Sequence, residues 1–397
     1  MEVLFVTYKY PPAIGGMQKQ SFELIKGFEK MHKVHKLVYD HNGSLVLFFM
    51  SLLIRIPYVL LKNPSVAVIH FNDGVCAMIC SWIRLFTKRK LCVTYHGLDL
   101  VFPNKLYQFV IKYWMIYFDI IIAVSDYTKE VCLKKGFHSS KVFAVYNGVS
   151  ERETIELNKV PEYYKRLIEQ IQLSGKTLIT SIGRPVKRKG FVWFVRQVLP
   201  KLDNHVFLLV GPCPEYGFFL RMLIKLLPKK MSSQIVIGWG LSTEHAHLSE
   251  LEKDVTIQNK FKWLNHVDHN TKNYLLENSD LFVMPNVRIE GDMEGFGLVA
   301  LEANVQGVPV VASRLEGITS AIINQSNGIL LPANNPEKWI DVLNNFSMEV
   351  SECLCPGEKL SQYVIQNYSW RKMVERYKEI FQLSINKPIV NTHLANH

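Results

Sequence analysis

Glu294-Gly295-Phe296-Gly297-Leu298-Val299-Ala300-Leu301-Glu302 sets two carboxylates eight positions apart, the first beside a pair of glycines. The run before it, Leu281-Phe282-Val283-Met284, has the length and composition of a buried strand. After it, Leu298, Val299 and Leu301 fall on one side of a short helix. Gly307 is suited to end that helix in a left-handed turn. Val308-Pro309-Val310-Val311-Ala312 then reads as the next strand. Gly295 and Gly297 let a ligand approach bare backbone N–H groups. A helix start carries roughly half a positive charge, which suits a phosphate. Glu302, inside the first turns of the helix, is placed to accept two hydrogen bonds from a ribose diol, as acidic residues do in dinucleotide folds. A plain strand–helix–strand unit with two solvated glutamates has the same pattern, so the other motifs decide between the two readings.

Residues 3–7 are an apolar strand that runs into Tyr10-Pro11-Pro12-Ala13-Ile14-Gly15-Gly16, with Phe22, Ile25 and Phe28 at helical spacing beyond. Strand, glycine loop and helix form a cradle for phosphate or sugar, and equally an ordinary tight turn. Residues 66–70 and 91–95 read as buried strands, and the second ends in His96-Gly97-Leu98-Asp99. Ligands of open α/β sheets bind at the carboxyl ends of strands, which places His96 to matter, while a satisfied structural histidine is the plain alternative. Residues 120–124 and 142–146 are further strands. From 150 to 174 the chain is polar and strand-free, and the domain junction is expected there, with domains at 1–172 and 173–368.

Residues 177–182 restart the strand pattern and run directly into Gly183-Arg184-Pro185-Val186-Lys187-Arg188-Lys189-Gly190. Packed cations after a strand end make a diphosphate site: Arg forks onto two oxygens and Lys adds a point charge. A solvated surface turn is the plain alternative. Residues 206–211 are a strand, and Ile235-Val236-Ile237-Gly238 is predicted to be another. His245 and His247 have no carboxylate or cysteine partner at ligand spacing and read as surface residues. Glu290, Asp292 and Glu294 alternate along one loop, yet no Asp-x-Asp is present, and Arg184 and Lys189 already supply countercharge. No metal is therefore expected.

Four separated motifs, in order over nearly the whole chain, resemble those of the retaining glycosyltransferases of family 4, of the bacterial surface-polysaccharide type. They are Gly15-Gly16, His96-Gly97, Arg184 with Lys189, and Glu294 with Glu302. The resemblance implies an α/β chain of the GT-B fold, two Rossmann-like domains facing across a central cleft, with a C-terminal helix, 369–397, that packs back on the first. It implies α-retaining transfer of a hexose from a nucleoside-diphosphate sugar, UDP or GDP being the expected nucleotides, to a glycan or lipid-linked acceptor, with no metal. The family is generally discussed as same-face attack assisted by the leaving phosphate. By the same resemblance His96 and Glu294 are catalytic and, with Gly295 and Phe296, hold the donor sugar. Gly15, Gly16, Arg184, Lys189, Gly297 and Leu298 hold the diphosphate. Glu302 and Val267 hold the ribose and base. Several positions depart from the family. Gln18 and Arg188 stand where many members carry an acid, and Tyr146 and Ser150 replace a usual Pro and Asp. Residues 212–234, mixing apolar clusters with Lys225, Lys229 and Lys230, look like an insertion and a candidate interfacial or core helix. Gly317-Ile318-Thr319 replaces Gly-Gly-Ile-Pro-Glu, so an acid of the donor pocket is missing. A nucleotide-sugar epimerase or phosphorylase on the same fold, or an inactive nucleotide-sugar-binding protein, are the alternatives.

A chain of 397 residues, 48% apolar and 20% charged, is long enough for two or three domains. Its net charge of +11 suits an anionic substrate or an anionic membrane surface. No zinc finger, RNP pattern or long basic arm points to nucleic acid. Seven cysteines without a CxxC pair fit a reducing cytoplasm. The first strand is too short for a signal-peptide core. Residues 45–54 are apolar except Ser51 and are followed by Arg55 and Pro57, a pattern of a buried or interfacial helix rather than a span. Residues 105–118 mix lysines with aromatics, as either a core helix or one lying on a membrane. The expected location is the cytoplasm, with the inner face of the plasma membrane as a candidate peripheral site.

Overall fold

The computed structural model of the chain describes residues 1–212, 222, 224, 226–239, 241–242, 244–346 and 357–386. It forms two compact units. One comprises Met1–Leu100, Lys105–Gly148 and the segment from Trp370, and the other Val101–Asn104 with Val149–Ser369.

The first unit holds six parallel strands: β1 (Glu2–Thr7), β2 (Lys33–Val38), β3 (Val66–Phe71), β4 (Lys90–Tyr95), β5 (Ile120–Ala123) and β6 (Val142–Ala144). Their order is β2-β1-β3-β4-β5-β6. Both neighbours of β1 are parallel to it, so the chain leaves β1 to one side and returns to the other. The central strands are mostly apolar because helices cover both faces of such a sheet. The helix Gly16–Glu29 buries Leu24, Ile25 and Phe28. The helix Trp370–Asn386 buries Tyr377, Ile380 and Phe381, and the Phe28 and Phe381 rings lie 5.5 Å apart.

The second unit repeats the plan with β7 (Thr177–Ile182), β8 (His205–Val210), β9 (Phe261–Leu264), β10 (Leu281–Met284), β11 (Val310–Ser313) and β12 (Ile329–Leu331). All pairings are parallel, in the order β12-β11-β10-β7-β8-β9. One face carries Phe194, Phe207, Phe261 and Trp339. The other carries Leu178, Leu208 and Leu275, on which Ile168 and Ile171 of the helix Glu162–Leu173 are seated. That packing groups residues 149–172 with this unit.

One predicted strand is corrected. Residues 235–238 lie in the helix Lys229–Trp239. A four-residue apolar run cannot by itself distinguish a strand from a helix turn, and the third strand of this half is β9, further on. The candidate interfacial helix within 212–234 falls largely outside the described residues.

Candidate functional site

In doubly wound sheets the crevice opens where strand order reverses. In the second unit that point lies between β7 and β10, and the loops leaving these two strands carry the cations and the carboxylates. After β7 the chain turns at Gly183 and places Arg184 at the surface, then makes a short turn over Lys187–Lys189. Gly190 closes the turn at φ 68°, where a Cβ would sit 2.0 Å from the Pro285 carbonyl oxygen. The two loops therefore touch backbone to backbone.

That contact brings opposite charges together. Lys189 Nζ and Arg188 Nη1 each lie 2.8 Å from Oε2 of Glu294, and Asn286 Nδ2 donates to the same oxygen at 3.2 Å. Arg188 Nε donates to Asp292 Oδ1 at 3.1 Å. Burial pushes the Glu294 carboxyl up, but Arg188, then Lys189, more than reverse this and hold it at about 2. Glu294 is thus ionised throughout the neutral range. None of these bonds falls on its other oxygen, Oε1.

The loop is also fixed from behind. The Glu294 N–H donates to Oε2 of Glu316 at 2.7 Å, and Gly317 N–H donates to the Glu294 carbonyl at 3.1 Å. Glu316 is buried, and burial raises its carboxyl to about 7. It has φ 50°, a left-handed backbone in a residue other than glycine. A Cβ on Gly317 would lie 1.9 Å from the Gly295 carbonyl oxygen, so the two loops are in direct contact. Phe296 is buried with its ring 6.2 Å from that of Tyr368.

Gly297, at φ 92°, turns the chain into the helix Leu298–Val305, where no side chain caps the first turn. The first N–H groups of that helix start at Leu298, beside the Glu294 loop. Glu302 lies within it, and its Oε2 is 2.9 Å from Lys272 Nζ. Lys272 belongs to the helix His269–Glu277, which begins two residues after the half-buried Val267. Lys189 and Glu294 are thus in direct contact, and Glu302 is linked to the Val267 side through Lys272. Asp292 is engaged by Arg188. Among the described residues no group of three or more His, Cys, Asp or Glu is disposed to hold a metal ion.

Sequence reasoning missed the partners. Arg188 was visible only as an unexpected cation, and Asn286, Lys272 and Glu316 carried no motif. The acid read as missing near Gly317 has a counterpart in Glu316, one residue before it, acting on the Glu294 backbone.

The first unit has its own loop cluster, after β1, β3 and β4. Gly15 and Gly16 are exposed at the start of the helix Gly16–Glu29. His96 donates from Nε2 to the Asn72 carbonyl at 3.0 Å, which fixes the tautomer and leaves Nδ1 an acceptor. Burial lowers its pKa to about 4, so it is neutral at physiological pH. Two aspartates tie the loops together. Asp73 accepts from Thr7 Oγ1 at 2.8 Å and from the Cys76 N–H at 2.7 Å. Asp99 accepts from the His96 N–H at 2.8 Å and the Gly74 N–H at 3.3 Å.

Two parallel six-stranded Rossmann-like units with these loops define the GT-B fold. The family model described as Glycosyltransferase Family 4 matches residues 14–153, and that described as Glycosyl transferases group 1 matches residues 165–351. The chain is therefore a glycosyltransferase of the family 4/group 1 type. It is 26% identical to an uncharacterized glycosyltransferase of Methanocaldococcus jannaschii, over 80% of this chain and 74% of the relative. It is 27% identical to a D-inositol 3-phosphate glycosyltransferase of Corynebacterium urealyticum, over 66% of this chain and 56% of that one. Among solved structures it is similar to Anabaena HepE in complex with UDP, at a TM-score of 0.67 and 16% identity, covering 96% of this chain and 100% of that one.

Proposed function

We propose that this glycosyltransferase moves a hexose from a nucleoside-diphosphate sugar to a hydroxyl of a glycan or lipid-linked acceptor, with retention of the α configuration. The observation that carries the proposal is Glu294. It is a carboxylate only 13% exposed and held ionised by Arg188 and Lys189, between a cationic loop and a helix start at the switch point of its sheet. In this reading Oε1 of Glu294 accepts from hexose hydroxyls, and Glu302 accepts from the ribose. Arg184, Lys189 and the N–H groups from Gly297 onward stabilise the charge that grows on the β-phosphate as its bond to the anomeric carbon breaks. The acceptor oxygen forms the new bond, and its proton passes to the departing phosphate. His96, neutral with Nδ1 as an acceptor, binds a sugar hydroxyl rather than a phosphate. Countercharge comes from side chains, so transfer is expected to persist in EDTA.

The Anabaena neighbour is solved with UDP and with UDP-glucose, which makes UDP-sugars the first donors to try. A thermal-shift panel of UDP-, GDP- and ADP-sugars tests the donor class. A true donor at 100 times its dissociation constant adds about 2.7 kcal/mol of stability. Arg184→Ala should weaken that donor by about ten- to a hundredfold, as expected for losing a charge-assisted hydrogen bond of about 1.5–3 kcal/mol. A panel without any shift, or an Arg184→Ala variant that binds as the parent does, would count against the proposal.

A further inference from the structure

The helix Leu45–Lys62 has two apolar faces. Phe48, Leu52, Ile56 and Leu60 are buried, and the Phe48 ring lies 5.4 Å from that of Tyr39. On the other side Val46, Leu47, Met50, Leu53, Ile54 and Leu61 are 41–83% exposed. At about 100° per residue these six, with Pro57 and Tyr58, occupy one continuous arc of about 140° without a charge. Arg55 and Lys62 fall just past its edge, both exposed. No acidic residue occurs anywhere in the helix.

We infer that this face is a membrane-docking surface, and that its partner is the surface of an anionic lipid bilayer. The helix is long and apolar enough to cross a membrane by length and composition, with a mean hydropathy of 2.0. Its inner face is nevertheless committed to the unit's core, so it lies along the bilayer rather than through it. The outer arc enters the boundary between headgroups and acyl chains, as interfacial helices do. The two border cations reach back to the phosphates along their aliphatic stems. Lys62 Nζ already lies over the Tyr58 ring, 4.7 Å from its centroid, an aromatic–cation pair suited to headgroup depth. The chain's charge of +11 adds long-range attraction to an anionic leaflet. A second copy of the chain fits this face less well: a two-fold pairing would bring Arg55 and Lys62 of both copies beside the apolar arc with no carboxylate from the helix to meet them.

The test uses the full chain and flotation with vesicles of about 30% phosphatidylglycerol in phosphatidylcholine, compared with pure phosphatidylcholine. The parent should float with the anionic vesicles about tenfold more strongly than with neutral ones at low salt, and less so as salt rises. Met50→Glu/Ile54→Glu places two charges in the exposed arc and should cut binding to both vesicles at least about tenfold. Arg55→Gln/Lys62→Gln should remove mainly the salt-sensitive part. Circular dichroism of each variant, together with an unchanged thermal shift by the nucleotide-sugar donor, separates loss of docking from loss of fold. The inference fails if the parent floats with neither vesicle, or if Met50→Glu/Ile54→Glu floats as the parent does. It also fails if sedimentation shows a dimer that this variant splits, which would make the face a contact between copies.

Discussion

Glu294 shows how one side chain can be both anchored and available. Three donors meet on Oε2, so the carboxylate is oriented without occupying Oε1. Glu294→Gln keeps the shape and removes the charge. Steady-state transfer should fall about a hundredfold, roughly 2.7 kcal/mol of barrier. Urea unfolding should show a loss of up to about 3–5 kcal/mol, because Arg188 and Lys189 would keep buried charges without their shared counter-ion. Acid should act in the same direction: a carboxyl depressed from 4.5 to about 2 contributes stability that is complete above 4.5 and lost as pH falls toward 2. Glu316 has the opposite sign. Its carboxyl is raised from 4.5 to about 7, so its contribution is complete below 4.5 and lost as pH rises through 7. Glu316→Gln still offers an oxygen to the Glu294 N–H. It should therefore gain stability relative to the parent between pH 5 and 8, in unfolding midpoints measured across that range. The spacing of Glu294 and Glu302 and the offset of Arg184 and Lys189 were legible in the sequence because loop and helix geometry make them local. Arg188 meets Asp292 across 104 positions, and nothing local announces such a pair.

At the scale of elements, the site depends on two loops that touch through backbone as well as through side chains. Gly190 is where this can be tested. Alanine there must adopt φ 68° and find room 2.0 Å from a carbonyl oxygen. Gly190→Ala should cost at least about 2 kcal/mol, read from the urea midpoint, and weaken the donor as Lys189 is displaced. Most strands of both sheets were legible as apolar runs bounded by glycine, because strands buried on both faces lose the alternation of half-exposed ones. β2, β12 and the helix over residues 235–238 were not. β2 is an edge strand in which only Leu37 is buried, and its lysines mask the pattern. Residues 235–238 have strand-like composition within a helix. Where a segment is short, its neighbours rather than its own residues choose between the two states.

At the scale of the whole molecule, a buried polar chain runs through the first unit. Tyr377 Oη lies 3.0 Å from Thr94 Oγ1 and accepts from Gln20 Nε2 at 3.2 Å. Gln20 Oε1 accepts from Asn72 Nδ2, and the Asn72 carbonyl accepts from His96 Nε2. Tyr377→Phe removes the hydroxyl partner of Gln20 Nε2 and one of the two partners of Thr94 Oγ1, which keeps His70 Nε2 at 2.8 Å. It should lower stability by about 1–3 kcal/mol in thermal or urea unfolding. The helix that bears Tyr377 also sets an order of events during synthesis. Gln20 and Tyr377 are 357 positions apart, and at roughly 5–20 residues per second the ribosome separates their emergence by on the order of 20–70 s. Through that interval the nascent chain holds Phe28 and His70 without the lid that will cover them, whereas Val149–Ser369 emerges as one uninterrupted block. The unit begun first is thus closed only after the other has emerged, and a stop codon within Trp370–Asn386 would leave it with an open, adhesive interior.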